Sequence, residues 1–194
     1  MKASANRLRI VGRAGEGYDN IDVTTATDQN IMVMNTPGAN TVSSAQLALS
    51  HMFSIARNIP QGHISMQEGA WDRKKYMGYE LRDKTLGLIG CGMVGSQLAS
   101  YAQSLGMKVV CFDPIMSNEE MTRMGLGRMH SLDALLGRSD FISLHTPDIF
   151  QTEDLIRKET LDKCKVNIIV NLIVLFCFFI VIDVVLSYGS LVSS

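Results

Sequence analysis

The sequence is poor in several features that mark particular protein classes. Its four cysteines, Cys91, Cys111, Cys164 and Cys177, lie far apart and form no CxxC pair. This argues against a disulfide framework or a zinc site and for a reducing compartment. A basic surplus is also missing: Lys plus Arg is 18, Asp plus Glu is 19, and the formal net charge is -1. Nucleic-acid binders usually depend on such a surplus, so no nucleic-acid partner is expected. The opening MKASANRLRI has no apolar core of signal-peptide length, and a cytoplasmic location is the expectation. No repeat of 20–50 residues and no low-complexity tract precedes residue 166. With 46% hydrophobic and 19% charged residues in 194, disorder is excluded for most of the chain.

The composition changes once. Residues 1–165 mix charge, glycine and apolar residues as an α/β protein does. The tail from Val166, VNIIVNLIVLFCFFIVIDVVLSYGSLVSS, has no Lys, Arg, Glu, Pro or Ala, and Asp183 is its only charge. The uncharged run Val166 to Ile182 is near the lower length limit for a membrane-spanning helix. Lys163 and Lys165 flank it on one side and a short polar end on the other, as in a tail anchor. A membrane partner therefore enters only through the 166–186 segment. The same composition, rich in Val, Ile, Leu and Phe, also fits translation into a T-rich intron, and composition alone does not separate the two accounts.

Before the tail, the order of elements is regular. LRIV (Leu8 to Val11) reads as a strand, Asp22 caps a helix over VTTATDQN, and Ile31 to Met34 reads as a second strand closed by Asn35-Thr36-Pro37-Gly38. This is a βαβ pattern. Ser43 to Ala56 is a helix with apolar residues on more than one face, hence buried on two sides. Arg57 to Asp83 reads as polar connecting structure. Strands are expected at Thr85 to Ile89, Lys108 to Phe112, Gly127 to His130 and Phe141 to Leu144. Helices are expected at Gly92 to Leu105, Asn118 to Met124, Leu132 to Leu136 and Thr152 to Cys164. The alternation specifies a doubly wound parallel sheet.

The main chemical signal is Gly90-Cys91-Gly92-Met93-Val94-Gly95, after the strand TLGLI and at the start of a helix. Gly90 permits a tight turn, Gly92 lets the backbone approach a pyrophosphate, and Gly95 lets the helix pack against the strand. The N–H groups and dipole of the helix N-terminus favour phosphate. Asp113 follows Gly95 by 18 residues, at the end of the next strand. There a carboxylate accepts hydrogen bonds from ribose hydroxyls and repels a 2′-phosphate, which favours NAD over NADP.

Several segments together, VGRAGEGYDNID, VMNTPGAN, WDRKKYMGYEL, KTLGLIGCGMVG, CFDPIMS and DFISLHTP, resemble the D-2-hydroxyacid dehydrogenase family, and within it the phosphoglycerate dehydrogenases. The likeness runs from about Ala5 to Lys165. It implies an incomplete Rossmann-like NAD-binding domain with part of a flavodoxin-like substrate domain. The implied boundaries are a partial substrate domain at 1–35, an interdomain and dimerisation connector at 36–83, the first half of the NAD-binding domain at 84–165 and an unrelated apolar tail at 166–194.

The resemblance implies an oxidoreductase that passes hydride to NAD from the CH–OH group of a 2-hydroxy acid, with 3-phosphoglycerate as substrate in serine synthesis, and a homo-oligomeric parent enzyme. It implies substrate contacts from Arg13, Ala14, Gly15 and Arg73. For the cofactor it implies contacts from Gly90, Gly92, Met93, Val94, Gly95 and Asp113, with Thr146 and Pro147 beside the nicotinamide half. Glu16, Gln46 and Met93 stand where the family commonly has threonine, glutamate and arginine. The family's catalytic arginine, its acid–base histidine and the carboxylate that holds the histidine lie beyond the matched region, so no catalytic residue is assigned and the chain reads as an inactive fragment. Two other readings remain: a non-catalytic NAD-binding or dimerising module, and a tail-anchored protein carrying a vestigial dehydrogenase fold.

Overall fold

The structure is a computed structural model that describes residues 7–146, 152, 155–165, 169–172 and 180–183. It contains two sheets. The smaller pairs β1 (Ile10–Gly12) in parallel with β2 (Met32–Met34). Helix α1 (Val23–Asp28) joins them, completing the expected βαβ unit. The Asp22 side chain caps α1 by accepting from the Thr25 N–H at 2.8 Å. Ala26 and Ile31 are buried against one face, while Ile10, Met32 and Met34 stay exposed on the other.

The larger sheet has the order β5-β4-β3-β6-β7-β8. Its strands are β3 (Thr85–Ile89), β4 (Lys108–Phe112), β5 (Gly127–Arg128), β6 (Phe141–Leu144), β7 (Ile169–Leu172) and β8 (Ile180–Asp183). All neighbours are parallel except β7 and β8. Every residue of β3 is buried, as expected for a central strand covered on both faces. Chain order reverses at β3: β4 and β5 extend to one side and β6 and β7 to the other. This is the doubly wound arrangement, and ligands of such sheets bind at the carboxyl ends of the strands at that switch point.

Helices α4 (Met93–Ser104), α5 (Asn118–Arg123) and α6 (Leu132–Arg138) supply the crossovers. Ser117 and Glu120 cap α5 reciprocally. Helix α2 (Thr41–Ala56) buries Ala45, Ala48, Met52 and Ala56 along one face, and this face packs on α4. The second face expected of α2 is only half-buried, with Leu49, Phe53 and Ile55 against the core.

Two expectations are corrected. Arg57 to Asp83 is not connector throughout, because Ile59–Gln67 forms α3, with Pro60 in its first turn. Only Ser65 of α3 is buried, so the segment lacks the apolar stripe by which a helix is read. The helix expected over Thr152 to Cys164 shortens to α7 (Lys158–Leu161), where Thr160 bonds back to the Arg157 backbone. The described parts of the tail are strands β7 and β8, not one long helix. Among the described residues no helix is long and apolar enough to cross a membrane. An apolar run of this kind has no decisive period, and pairing with β6 gives its backbone groups partners that an isolated segment lacks.

Candidate dinucleotide site at the switch point

The site forms where β3 ends. Gly90 has φ 84°, and a Cβ there would lie 2.9 Å from the His145 carbonyl oxygen and 3.0 Å from the Thr146 methyl. Both the turn and the adjacent end of β6 therefore require glycine. Gly95 faces back onto the same turn, and its Cβ would lie 2.7 Å from the Gly90 carbonyl oxygen. Gly92, the N-cap of α4, is different: a Cβ there meets nothing within 4 Å. That space lies before the helix N-terminus, where Met93 and Val94 carry first-turn N–H groups without partners inside the helix. Ser96 donates to the Cys91 carbonyl at 2.9 Å and closes the loop from within.

Asp113 lies at the end of β4, beside this loop. Its Oδ2 accepts from the Cys91 N–H at 2.8 Å, and its Oδ1 accepts from the Ile115 and Met116 N–H groups at 2.8 and 3.0 Å. Partial burial pushes the carboxyl pKa up. The three N–H donors and the Arg128 charge outweigh that push and hold it below the ordinary carboxylate range. The carboxylate is thus ionised and fixed, with one lone pair of Oδ2 left for a ligand. Ile115, next to it, is 92% exposed. An apolar side chain standing free beside an ionised carboxylate offers a wall for a flat apolar group.

The other assigned residues distribute as follows. Thr146 closes on Gly90 from the segment just after β6, and Pro147 lies outside the described residues. Met93 is exposed, with its sulfur 3.5 Å from the position of a Cβ on Gly38, so the 36–39 turn borders the site. Arg13 sits at the end of β1, with its guanidinium over Gly15 and Nη1 donating to the Ala14 carbonyl at 3.0 Å. The Gly15 N–H, expected among the donors to a substrate carboxylate, instead donates to Thr36 Oγ1 at 2.7 Å. The expected nest is reduced accordingly, because that donor already has a partner in the 35–38 turn.

Arg73 lies over Trp71 and lines a separate cleft of about 300 Å³ with Arg57, Ser65 and Tyr76, a cleft that Arg13 does not line. The structure does not bring together within this chain the two arginines expected at the substrate. Among the described residues no group of His, Cys, Asp and Glu is arranged to hold a metal ion.

Two further groups stand at the site. His145 follows β6, with Nε2 2.9 Å from the Ser143 hydroxyl and its ring edge facing Gly95. Burial pushes its pKa down to about 4, so the ring is neutral. Arg128 supports the turn after Asp113 from β5. His145 stands at the strand end beside the cofactor site, as its sequence position implies; the role of Arg128 arises from strand pairing, which no local spacing reveals.

The chain is similar to known proteins in sequence and in fold. The family model for D-isomer specific 2-hydroxyacid dehydrogenase, NAD binding domain, matches residues 49–172, and so reaches past Lys165 to the end of β7. The D-3-phosphoglycerate dehydrogenase of Archaeoglobus fulgidus is 45% identical over 167 residues, which are 86% of this chain and 32% of that protein. The human D-3-phosphoglycerate dehydrogenase is 43% identical over 162 residues, 84% of this chain and 30% of that protein. The chain spans about a third of the length of such relatives. Among solved structures, the TT0316 protein of Thermus thermophilus matches with TM-score 0.78 and 30% identity, over 87% of this chain and 53% of that one. The D-lactate dehydrogenase of Aquifex aeolicus, complexed with NAD and lactic acid, matches with TM-score 0.75 and 28% identity, over 84% of this chain and 49% of that one.

Proposed function

Because the chain belongs to the D-isomer specific 2-hydroxyacid dehydrogenase family, we propose that it serves the NAD-dependent oxidation of a 2-hydroxy acid, with 3-phosphoglycerate oxidised to 3-phosphohydroxypyruvate as the specific reaction. The observation that carries this reading is the Gly90-Gly92-Gly95 turn at the α4 N-terminus, joined to the Asp113 carboxylate through the Cys91 N–H. The residues present fit the dinucleotide. Met93 and Val94 would donate backbone N–H groups to the pyrophosphate, with the open space at Gly92 allowing close approach. Asp113 would accept from the ribose, and Ile115 and Thr146 would border the rest of the cofactor. When bound, NAD supplies the hydride acceptor.

Choice of 3-phosphoglycerate is supported by the likeness to named phosphoglycerate dehydrogenases and by two arginines. Arg13 would meet the anionic substrate, joined by the backbone N–H at Ala14, since that of Gly15 is held by Thr36, and Arg73, which lines a separate cleft of this chain, would serve as a second anion-binding group through its fork of donors. The exposed Ile59, Ile64 and Met66 of α3 support a role for segment 36–83 in pairing subunits.

The 194-residue chain by itself binds NAD with little or no turnover. Its histidine at the site, His145, is buried and engaged with Ser143, and with a pKa pushed down to about 4 it is too weak a base to take the hydroxyl proton, so it does not supply the acid–base group. The test is NADH fluorescence titration of the purified chain, together with 3-phosphoglycerate-dependent NADH production. Binding without turnover is expected. A flat titration overturns the NAD reading, and appreciable turnover overturns the assignment of the chain as inactive.

A further inference from the structure

Met116 is held at both ends of its backbone. Its N–H donates to Asp113 Oδ1 at 3.0 Å, and its carbonyl accepts from Arg128 Nη1 at 2.9 Å. Arg128 belongs to β5, opposite Cys111 of β4, so its backbone is anchored in the sheet. The guanidinium also lies against the Met121 sulfur at 3.8 Å, which fixes it on the inner side of α5. The intervening Pro114 and Ile115 are exposed. The turn therefore has two attachments: the carboxylate it must present to ligand, and Arg128.

We propose that Arg128 is a positioning residue for dinucleotide specificity. By gripping the Met116 carbonyl it holds the 113–116 turn so that the Asp113 carboxylate faces a ribose 2′,3′-diol and denies the same place to a 2′-phosphate. This rests on the NAD reading of the domain. Ligand selectivity depends on how firmly a group is held as well as on which group it is. A carboxylate on a loose turn can swing away from a 2′-phosphate, and its discrimination falls.

The test uses the full chain, with NADH and NADPH titrated by fluorescence and amide exchange measured across residues 108–124. The expected results for Arg128→Met are about fivefold weaker NADH binding, NADPH binding within twofold of the parent, and faster exchange at Ile115 and Met116 with the rest of the sheet unchanged. Arg128→Lys, which keeps a cationic donor, is expected to recover at least half of the loss. Unchanged NADH affinity, or equal loss for both dinucleotides, overturns the proposal and leaves Arg128 a purely structural residue. If R128M does not fold, Arg128→Gln decides: a lowered NADH preference supports the proposal and an unchanged one overturns it. A parent chain that binds no NADH overturns the NAD reading and this inference together. A parent that binds while the variants keep its preference overturns this inference alone.

Discussion

The Cys91 N–H donates to Asp113 Oδ2 at 2.8 Å, so the glycine-rich loop of β3 and the carboxylate ending β4 form one hydrogen-bonded unit. Neither half is set independently: the carboxylate orients the loop, and the loop helps keep the carboxylate ionised. Asp113→Ala removes the acceptor for three backbone N–H groups and the expected ribose contact. Hydrogen bonds to charged groups contribute about 1.5–3 kcal/mol, so tenfold or greater weakening of NADH binding is expected, with a lower thermal midpoint. Fluorescence titration and thermal melting of the same preparation check both. Unaltered affinity would remove Asp113 from the site.

The parts of this site that can be read from sequence are those where a backbone constraint selects a residue type. Gly90 must take a positive φ and Gly95 must let α4 approach the turn, so their spacing is visible in one dimension, as is the carboxylate one strand later. Arg128 owes its position to strands paired across the sheet, and arginines elsewhere look the same in a sequence. Helix α3 escapes a sequence reading because it turns Ile59, Ile64 and Met66 outward, and its apolar residues trace no buried face. The tail is ambiguous for a different reason. A uniformly apolar run suits a helix in lipid or a buried strand equally well, and the choice comes from an available edge on β6.

His145 gives a pH signature with a definite sign. Its folded pKa is lowered to about 4 from an ordinary value of 6.5. Between those values the unfolded chain takes up a proton that the folded chain refuses, so stability falls as pH drops through this window. The slope from this group approaches roughly 1.4 kcal/mol per pH unit. His145→Gln removes that slope. Urea midpoints at several values from pH 7 to pH 4.5 should therefore converge for parent and variant as pH falls, or cross. Parallel curves would show that His145 is protonated as readily in the fold as outside it.

Asp140 joins two strands of the sheet. Its Oδ2 accepts from the Thr85 N–H and its Oδ1 from Lys165 Nζ, each at 2.8 Å. Partial burial pushes its pKa up, but the Lys165 hydrogen bond, the Thr85 N–H and the charges of Lys165 and Lys84 outweigh this and lower it. A carboxyl depressed in the fold stabilises above its unfolded value of about 3.9, and the contribution disappears as pH falls through the folded value. The gap in melting temperature between parent and Asp140→Asn should be constant above about pH 5 and shrink below about pH 4. A gap independent of pH would assign the effect to packing rather than to charge.

Gly92 and Gly95 belong to one motif but should respond differently to a single added methyl group. At Gly95 the new Cβ meets the Gly90 carbonyl oxygen at 2.7 Å, a contact that backbone on both sides cannot relieve without moving α4 away from β3. Gly95→Ala should cost about 1–3 kcal/mol, the usual range for overpacking, and weaken NADH binding as well. At Gly92 the φ of -65° suits any residue and the Cβ meets no protein atom within 4 Å. Gly92→Ala should leave the melting temperature within a degree or two of the parent. Its methyl group instead occupies the approach to the α4 N-terminus, so NADH binding should fall about tenfold or more. Thermal melts and NADH titrations of both variants separate a glycine needed by the fold from one needed by the ligand. Equal loss of stability in the two, or undiminished binding by G92A, would place the pyrophosphate elsewhere.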